Sequence, residues 1–190
     1  MKRLIVGLSG ASGLIYGVRL LEVLQREVDV ETHLVVSAGA SLNISLETDR
    51  DVSDVKALAD HVYSPRDLAA RISSGSFRTD GMVVAPCSMK TLSAIVNAYA
   101  DNLLVRAADV TLKEQRRLVL MPRESPLHAG HCELLLRAAR LGAVIAPPMP
   151  AMYIRPRSVE DLVDHSVGRV LDLFGIDPGI VQRWDGPQAE

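Results

Sequence analysis

The chain has 190 residues, 48% of them hydrophobic and 23% charged, so one domain with a large aliphatic core is expected without disulfide or metal staples. Its 21 Lys and Arg against 23 Asp and Glu leave a net charge of -2, and one Trp, four Tyr and two Phe are all its aromatic side chains. That near balance argues against a protein that coats nucleic acid or anionic membrane, and seven aromatic residues are too few for base-stacking platforms, so no nucleic-acid partner is expected. No window approaches ~20 consecutive apolar residues, and the opening apolar run is too short for a signal peptide. Cys87 and Cys132 form no paired motif. The expectation is a cytoplasmic protein with free thiols and no membrane span.

Apolar runs of strand length alternate with stretches of helical periodicity, the pattern of an open parallel sheet covered by helices. The first strand reads as 3–9, and Gly7, Gly10 and Gly13 then space a GxxGxxG turn with Ser12 placed to cap the next helix. That helix, 13–26, carries Leu14, Val18, Leu21 and Leu24 at helical spacing. Glycines let backbone approach an anionic or planar ligand, and a helix N-terminus offers free N–H groups. The turn also resembles a nicotinamide fingerprint. However, the second strand, 31–37, ends on Ser37 rather than an acid, and no Tyr has a Lys four residues on. The stretch 49–77 reads as an irregular crossover with one weak strand near His61.

The third strand, 81–86, runs into Pro86-Cys87-Ser88-Met89-Lys90-Thr91, where Ser88 and Thr91 take cap and first-turn positions suited to a phosphate. With no neighbouring His, Cys87 reads as a small buried strand-end residue and not as a nucleophile. Arg106 and Lys113, seven apart, share one face of a helix, and Glu124 follows Arg123 just after the fourth strand, 117–121. Two cations and a carboxylate converging there would suit an anionic substrate with a proton to move; from spacing alone, a solvated basic face fits equally well. Beside Arg123 and Lys113, the Glu124 carboxylate is expected to be partly buried and able to exchange a proton near neutral pH. His128, His131 and Cys132 are zinc-ligand types but lack a fourth ligand, which favours an ordinary helix entry. A fifth strand at 142–146, a proline-framed loop carrying Tyr153 and Arg155, and a helix at 158–173 complete one domain over 1–184. Residues 185–190 are expected to fray.

GLSGASGLIYG at 7–17, SLETD at 45–49, SSGSF at 73–77, PCSMKTLSAI at 86–95, RAADVTLKE at 106–114, LVLMPRESPLH at 118–128 and PPMPAMYIRP at 147–156 closely resemble the UbiX-type flavin prenyltransferases. The resemblance runs over essentially the whole chain. It implies a flavodoxin-like or Rossmann-like α/β domain, assembled as a homododecamer. It further implies a metal-independent reaction in which reduced FMN is alkylated by dimethylallyl phosphate at N5 and then C6. The product, prenylated FMN, is the cofactor of UbiD-type decarboxylases, a link that includes ubiquinone biosynthesis.

Carried over by motif, the FMN contacts fall on Gly10, Ala11, Ser12, Ser37, Ser88, Met89, Lys90, Thr91 and Arg123. The prenyl-phosphate contacts fall on Arg106, Lys113, Glu124, Tyr153 and Arg169, the last two resembling contributions from an adjacent subunit. Ser12 and Glu47 match positions that assist flavin N5, and Lys113 and Glu124 complete the implied catalytic set. Two departures stand out: Ala38-Gly39 where many relatives place a Lys, and Met152 where an aromatic residue commonly precedes the Tyr. Flavin-dependent cysteine decarboxylases would share fold and flavin, but their PxMNxxMW motif is absent and the only Trp is Trp184.

Overall fold

A computed structural model describes residues 1–186. Its strands are β1 (Lys2–Leu8), β2 (Val30–Val36), β3 (His61–Tyr63), β4 (Gly81–Cys87), β5 (Arg117–Pro122) and β6 (Val144–Ile145). The helices are α1 (Leu14–Leu24), α2 (Ala38–Glu47), α3 (Val52–Lys56), α4 (Met89–Val96), α5 (Leu103–Lys113), α6 (Ala129–Arg140) and α7 (Val159–Asp172). All sheet pairings are parallel and the strand order is β3-β2-β1-β4-β5-β6. That is the doubly wound order; without the three-residue edge strand β3 it is the flavodoxin-like order.

The central strands are continuously apolar because both sheet faces are covered. Alternate residues of β1 enter separate cores: Leu4, Val6 and Leu8 pack with α1 and α7, and Ile5 packs on the other face with residues of α4 and α5. The four long strands and the first and last helices fall where the sequence places them, within about two residues, as assignment conventions allow, and the strand read at 142–146 shortens to the two residues of β6. The 49–77 stretch holds the expected weak strand, β3, and more order besides: α3 and a 3₁₀ turn at Arg71–Ser73. α2 follows Ser37 directly, where no helix was read. Of the expected tail, residues 185–186 carry no regular structure, and 187–190 lie outside the described residues. No helix among the described residues is long and apolar enough to cross a membrane.

Candidate active site

Strand order reverses between β1 and β4, so the loops leaving their carboxyl ends diverge to opposite faces and open a crevice. Ser9, 0% exposed, ties the two ends together: its Oγ donates to the Pro86 carbonyl at 2.8 Å and accepts the Ser88 N–H at 2.7 Å. Sequence reasoning passed over Ser9. Its only signal was a polar residue ending an otherwise apolar strand.

The crevice is about 1040 Å³ and is lined by Gly10, Ser37, the run Ser88–Thr91 and Glu124, with Asn102, Leu104 and Val105 at the start of α5. Six of the nine residues expected to contact FMN line it. Gly10 is required by close packing: a Cβ there would lie 2.9 Å from the Gly39 Cα, so the β1 loop and the start of α2 touch backbone to backbone. Gly39 is under the same constraint, with Gly10 Cα 3.1 Å from where its own Cβ would sit.

The helix N-termini divide the work differently from the sequence reading. Ser37 and Ser88 cap α2 and α4, accepting the N–H groups of Ala40 at 3.1 Å and Thr91 at 3.2 Å. Among the described residues the Ser88 side chain reaches only Thr91, which leaves the first-turn N–H groups of Met89 and Lys90 outside the cap, in the crevice that both residues line. This suits a phosphate. α1 does not offer the same. Gly13, at a left-handed φ of 100°, is its N-cap, and Ser12 makes no capping bond, contrary to expectation. Glu47 arrives instead from the end of α2, its Oε2 accepting the Gly13 N–H at 2.7 Å and the Leu14 N–H at 3.1 Å. A carboxylate already satisfies the donors there and repels a second anion. An FMN phosphate therefore fits the starts of α4 and α2, with the glycine loop left to the uncharged part of the flavin.

Arg123 lies against the glycine loop, its Cγ 3.9 Å from where a Gly13 Cβ would be. Burial raises the pKa of the neighbouring Tyr16, with the Arg123 charge opposing. Ala11 is buried and Ser12 exposed in the same loop. Cys87 is fully buried and its thiol is pushed up to about 12, which removes it as a nucleophile. His128 caps α6 through its ring and Cys132 is exposed, the ordinary helix entry that was expected.

The prenyl-phosphate set does not converge within one chain. Arg106 and Lys113 do share a face of α5, but that face lies beside the 73–75 segment and each cation already has a partner. Arg106 Nε donates to the Ser73 carbonyl at 3.2 Å and its Nη1 pairs with Asp109 at 2.8 Å, while Lys113 pairs with Glu114. α5 starts at the crevice and runs to the opposite edge of the sheet, where Arg116 grips the carbonyls of Gly75 and Phe77 just before β4 begins. Lys113 thus sits roughly 16 Å along the helix from the crevice end. Glu124 lines the crevice, yet it is exposed, and its carboxylate accepts from the Ser125 N–H at 3.1 Å. The expected burial beside Lys113 is corrected: the two residues lie at opposite edges of the sheet.

Tyr153 and Arg169 form a third group, on the 3₁₀ turn Met152–Ile154 and on α7. Both are exposed, and Arg169 is paired with Asp172 at 2.6 Å. Asp172 also takes Arg183 at 3.0 Å and so joins the two guanidinium groups.

A flavoprotein family profile matches residues 1–171. Flavin prenyltransferase UbiX of Escherichia coli K12 is 59% identical over 188 residues, covering 98% of this chain and all of that protein. AnUbiX (PadA1), solved in complex with FMN and dimethylallyl pyrophosphate, superposes with a TM-score of 0.96 at 53% identity, covering 98% of this chain and 99% of that one. A dodecameric FMN-dependent UbiX-like decarboxylase from Escherichia coli O157:H7 superposes with a TM-score of 0.95 at 55% identity, covering 97% and 100%. Identity of this degree over nearly the full length of both partners shows that the chain belongs to the flavoprotein family and, within it, to the UbiX-type flavin prenyltransferases.

Proposed function

We propose that this protein transfers a dimethylallyl group from dimethylallyl phosphate to reduced FMN, making the prenylated FMN used by UbiD-type decarboxylases. The observation that carries the reading is the crevice at the β1/β4 switch point. It combines two serine-capped helix starts with a glycine loop closed by backbone contact, in a chain 59% identical to a flavin prenyltransferase. Reduced FMN, when bound, supplies the nucleophilic N5 and C6 positions.

The residues of this chain supply the remainder. Met89, Lys90 and the start of α2 hold the flavin phosphate. Gly10 and Ala11 would let backbone approach the ring, and Arg123 would offset negative charge beside them. Glu47, fixed by two backbone N–H groups at the head of α1, is a carboxylate whose position is set before the ligand arrives; with Ser12 it accepts and returns protons at the flavin edge. Glu124 protonates the leaving phosphate, whose charge Arg106, Lys113 and Arg169 offset together with the Tyr153 hydroxyl. Because Lys113 and Glu124 of one chain lie at opposite edges of its sheet, these groups meet only between copies. We therefore infer a dodecamer like that of the Escherichia coli O157:H7 relative, with the donor site shared among subunits. Cytoplasmic action belongs to the same proposal, supported by two free thiols of the kind a reducing compartment maintains.

The test is direct. Purified protein incubated anaerobically with reduced FMN and dimethylallyl phosphate should yield flavin heavier by one prenyl unit in mass spectrometry. Flavin of unchanged mass, with FMN shown to be bound, would overturn the reading.

A further inference from the structure

The Tyr153 hydroxyl does not stand alone. Its Oη lies 3.0 Å from Nε2 of His165, and the two rings meet edge to face with centroids 5.5 Å apart. Trp184 closes the other side of the tyrosine ring, 5.8 Å away and near perpendicular. Tyr153 itself is 52% exposed, whereas His165 is only 6% exposed and is built into α7. It lies one helical turn before Arg169 and two turns before Asp172, so one face of α7 presents His165, Arg169 and Asp172 in succession.

The direction of the tyrosine's bond follows from the tautomer of the His165 ring. Burial first, and the Arg169 charge second, push the His165 pKa down, so the ring is neutral at neutral pH and carries one N–H. Its Nδ1 is buried with no partner among the described residues. A proton on Nδ1 would be a buried donor with nothing to accept it, the rarer and costlier arrangement. On Nε2 it is donated to the Tyr153 Oη. The tyrosine then has its own O–H free, on its exposed side, for an acceptor outside this chain.

We propose that His165 is a positioning residue for prenyl transfer: through Nε2–H it holds the Tyr153 hydroxyl as a donor aimed at the phosphate of the prenyl donor in a neighbouring copy's site. The inference rests on the reading above that Tyr153 meets that phosphate. Asp172 does for Arg169 what His165 does for Tyr153, so α7 sets the direction of both donors before substrate arrives. A phosphate oxygen accepting from a hydroxyl that itself accepts a hydrogen bond receives a stronger bond than from a free tyrosine.

The test uses the assembled enzyme and varies the reach of the side chain. His165→Gln places an amide N–H where Nε2 was; His165→Asn ends near Nδ1 and cannot reach Oη. Prenylation of reduced FMN should show KM for dimethylallyl phosphate raised roughly tenfold in His165→Asn and His165→Ala, as for a lost bond to a charged acceptor, and within about threefold of wild type in His165→Gln. FMN affinity and particle mass by light scattering should be unchanged in all three. In a Tyr153→Phe background, His165→Asn should add nothing. The proposal is overturned if His165→Asn and His165→Gln behave alike, or if the His165→Asn effect persists undiminished without the tyrosine hydroxyl. Tyr153→Phe leaving the donor KM at the wild-type value would instead sink the placement of Tyr153 at the phosphate, and the role of His165 with it.

Discussion

Replacing Ser9 with Ala probes the joint on which the crevice depends. The substitution removes one hydroxyl and with it two hydrogen bonds of 2.8 and 2.7 Å in a position with no solvent exposure. The Pro86 carbonyl keeps a second donor, the Ser9 N–H at 3.3 Å, so its loss is partial. The Ser88 N–H has no such reserve. One lost neutral bond at about 1 kcal/mol and one orphaned donor at about 1–2 kcal/mol give a destabilisation of about 2–3 kcal/mol. For a chain of this size that lowers the melting temperature by about 5–10 °C. Because the orphaned N–H belongs to the residue that caps α4, the loss should also reach the ligand: FMN affinity, followed by quenching of flavin fluorescence, should weaken by roughly three- to tenfold. Urea unfolding at fixed protein concentration reads the first number. A Ser9→Ala protein within about 0.5 kcal/mol of wild type, as for an ordinary surface change, would refute the reasoning.

His33 is 0% exposed, stacked on His61 and bonded to Tyr63, with Glu31, Arg3 and Arg71 around it; burial holds it at about 4. The unfolded chain takes up its proton near 6.5 and the native chain does not. The stability is therefore complete above pH 6.5 and is lost as pH falls toward 4, about 3 kcal/mol in all; His33→Gln should flatten urea-unfolding stability between pH 6.5 and 4.5, and an unaltered slope would contradict this. Glu47→Gln retains a carbonyl to accept the Gly13 and Leu14 N–H groups and should keep stability within about 0.5 kcal/mol while slowing prenylation roughly 10²-fold; Glu47→Ala should lose about 1 kcal/mol as well, measured by denaturation. Glu124→Gln should leave FMN binding intact and slow prenylation by roughly 10² at saturating donor, so a wild-type rate would remove its role as acid.

The parallel sheet was legible because strands buried on both faces write themselves as unbroken apolar runs, and five of them stand between turn residues. The serine cap of α4 was legible for a similar reason: Ser88 and Thr91 are three apart and the bond is local. What escaped notice was everything decided by chain brought from a distance. α2 buries only Ala40 and Ile44, too little apolar surface to announce a helix. Ser12 has the right chemistry and the right position to cap α1, but a glutamate 34 residues from Gly13 takes the bonds instead. The roles of Arg106, Lys113, Glu124, Tyr153 and Arg169 came from motif resemblance alone, and spacing along one helix could not reveal that α5 carries Lys113 away from the crevice.

That last point gives the assembly a quantitative signature. If each donor site takes Lys113 from one copy and Glu124 from another, two crippled subunits can repair one another. Lys113→Ala protein supplies an intact Glu124, and Glu124→Gln protein supplies an intact Lys113. Co-expressed in equal amounts and mixed at random, half of the positions on each side of a site are sound, so about a quarter of sites contain both wild-type groups. Prenylation by the mixture should approach a quarter of the wild-type rate, well above the sum of the two separate variants. A site built within a single chain contains one lesion in every copy, and mixing would then recover nothing. The same preparation should bind FMN at full stoichiometry, since the flavin crevice is lined by residues neither substitution removes from β1, α2 or α4. Activity no higher than that of the pooled single variants, in particles shown by mass spectrometry to contain both subunits, would place Lys113 and Glu124 in one chain's site and contradict the topology of α5.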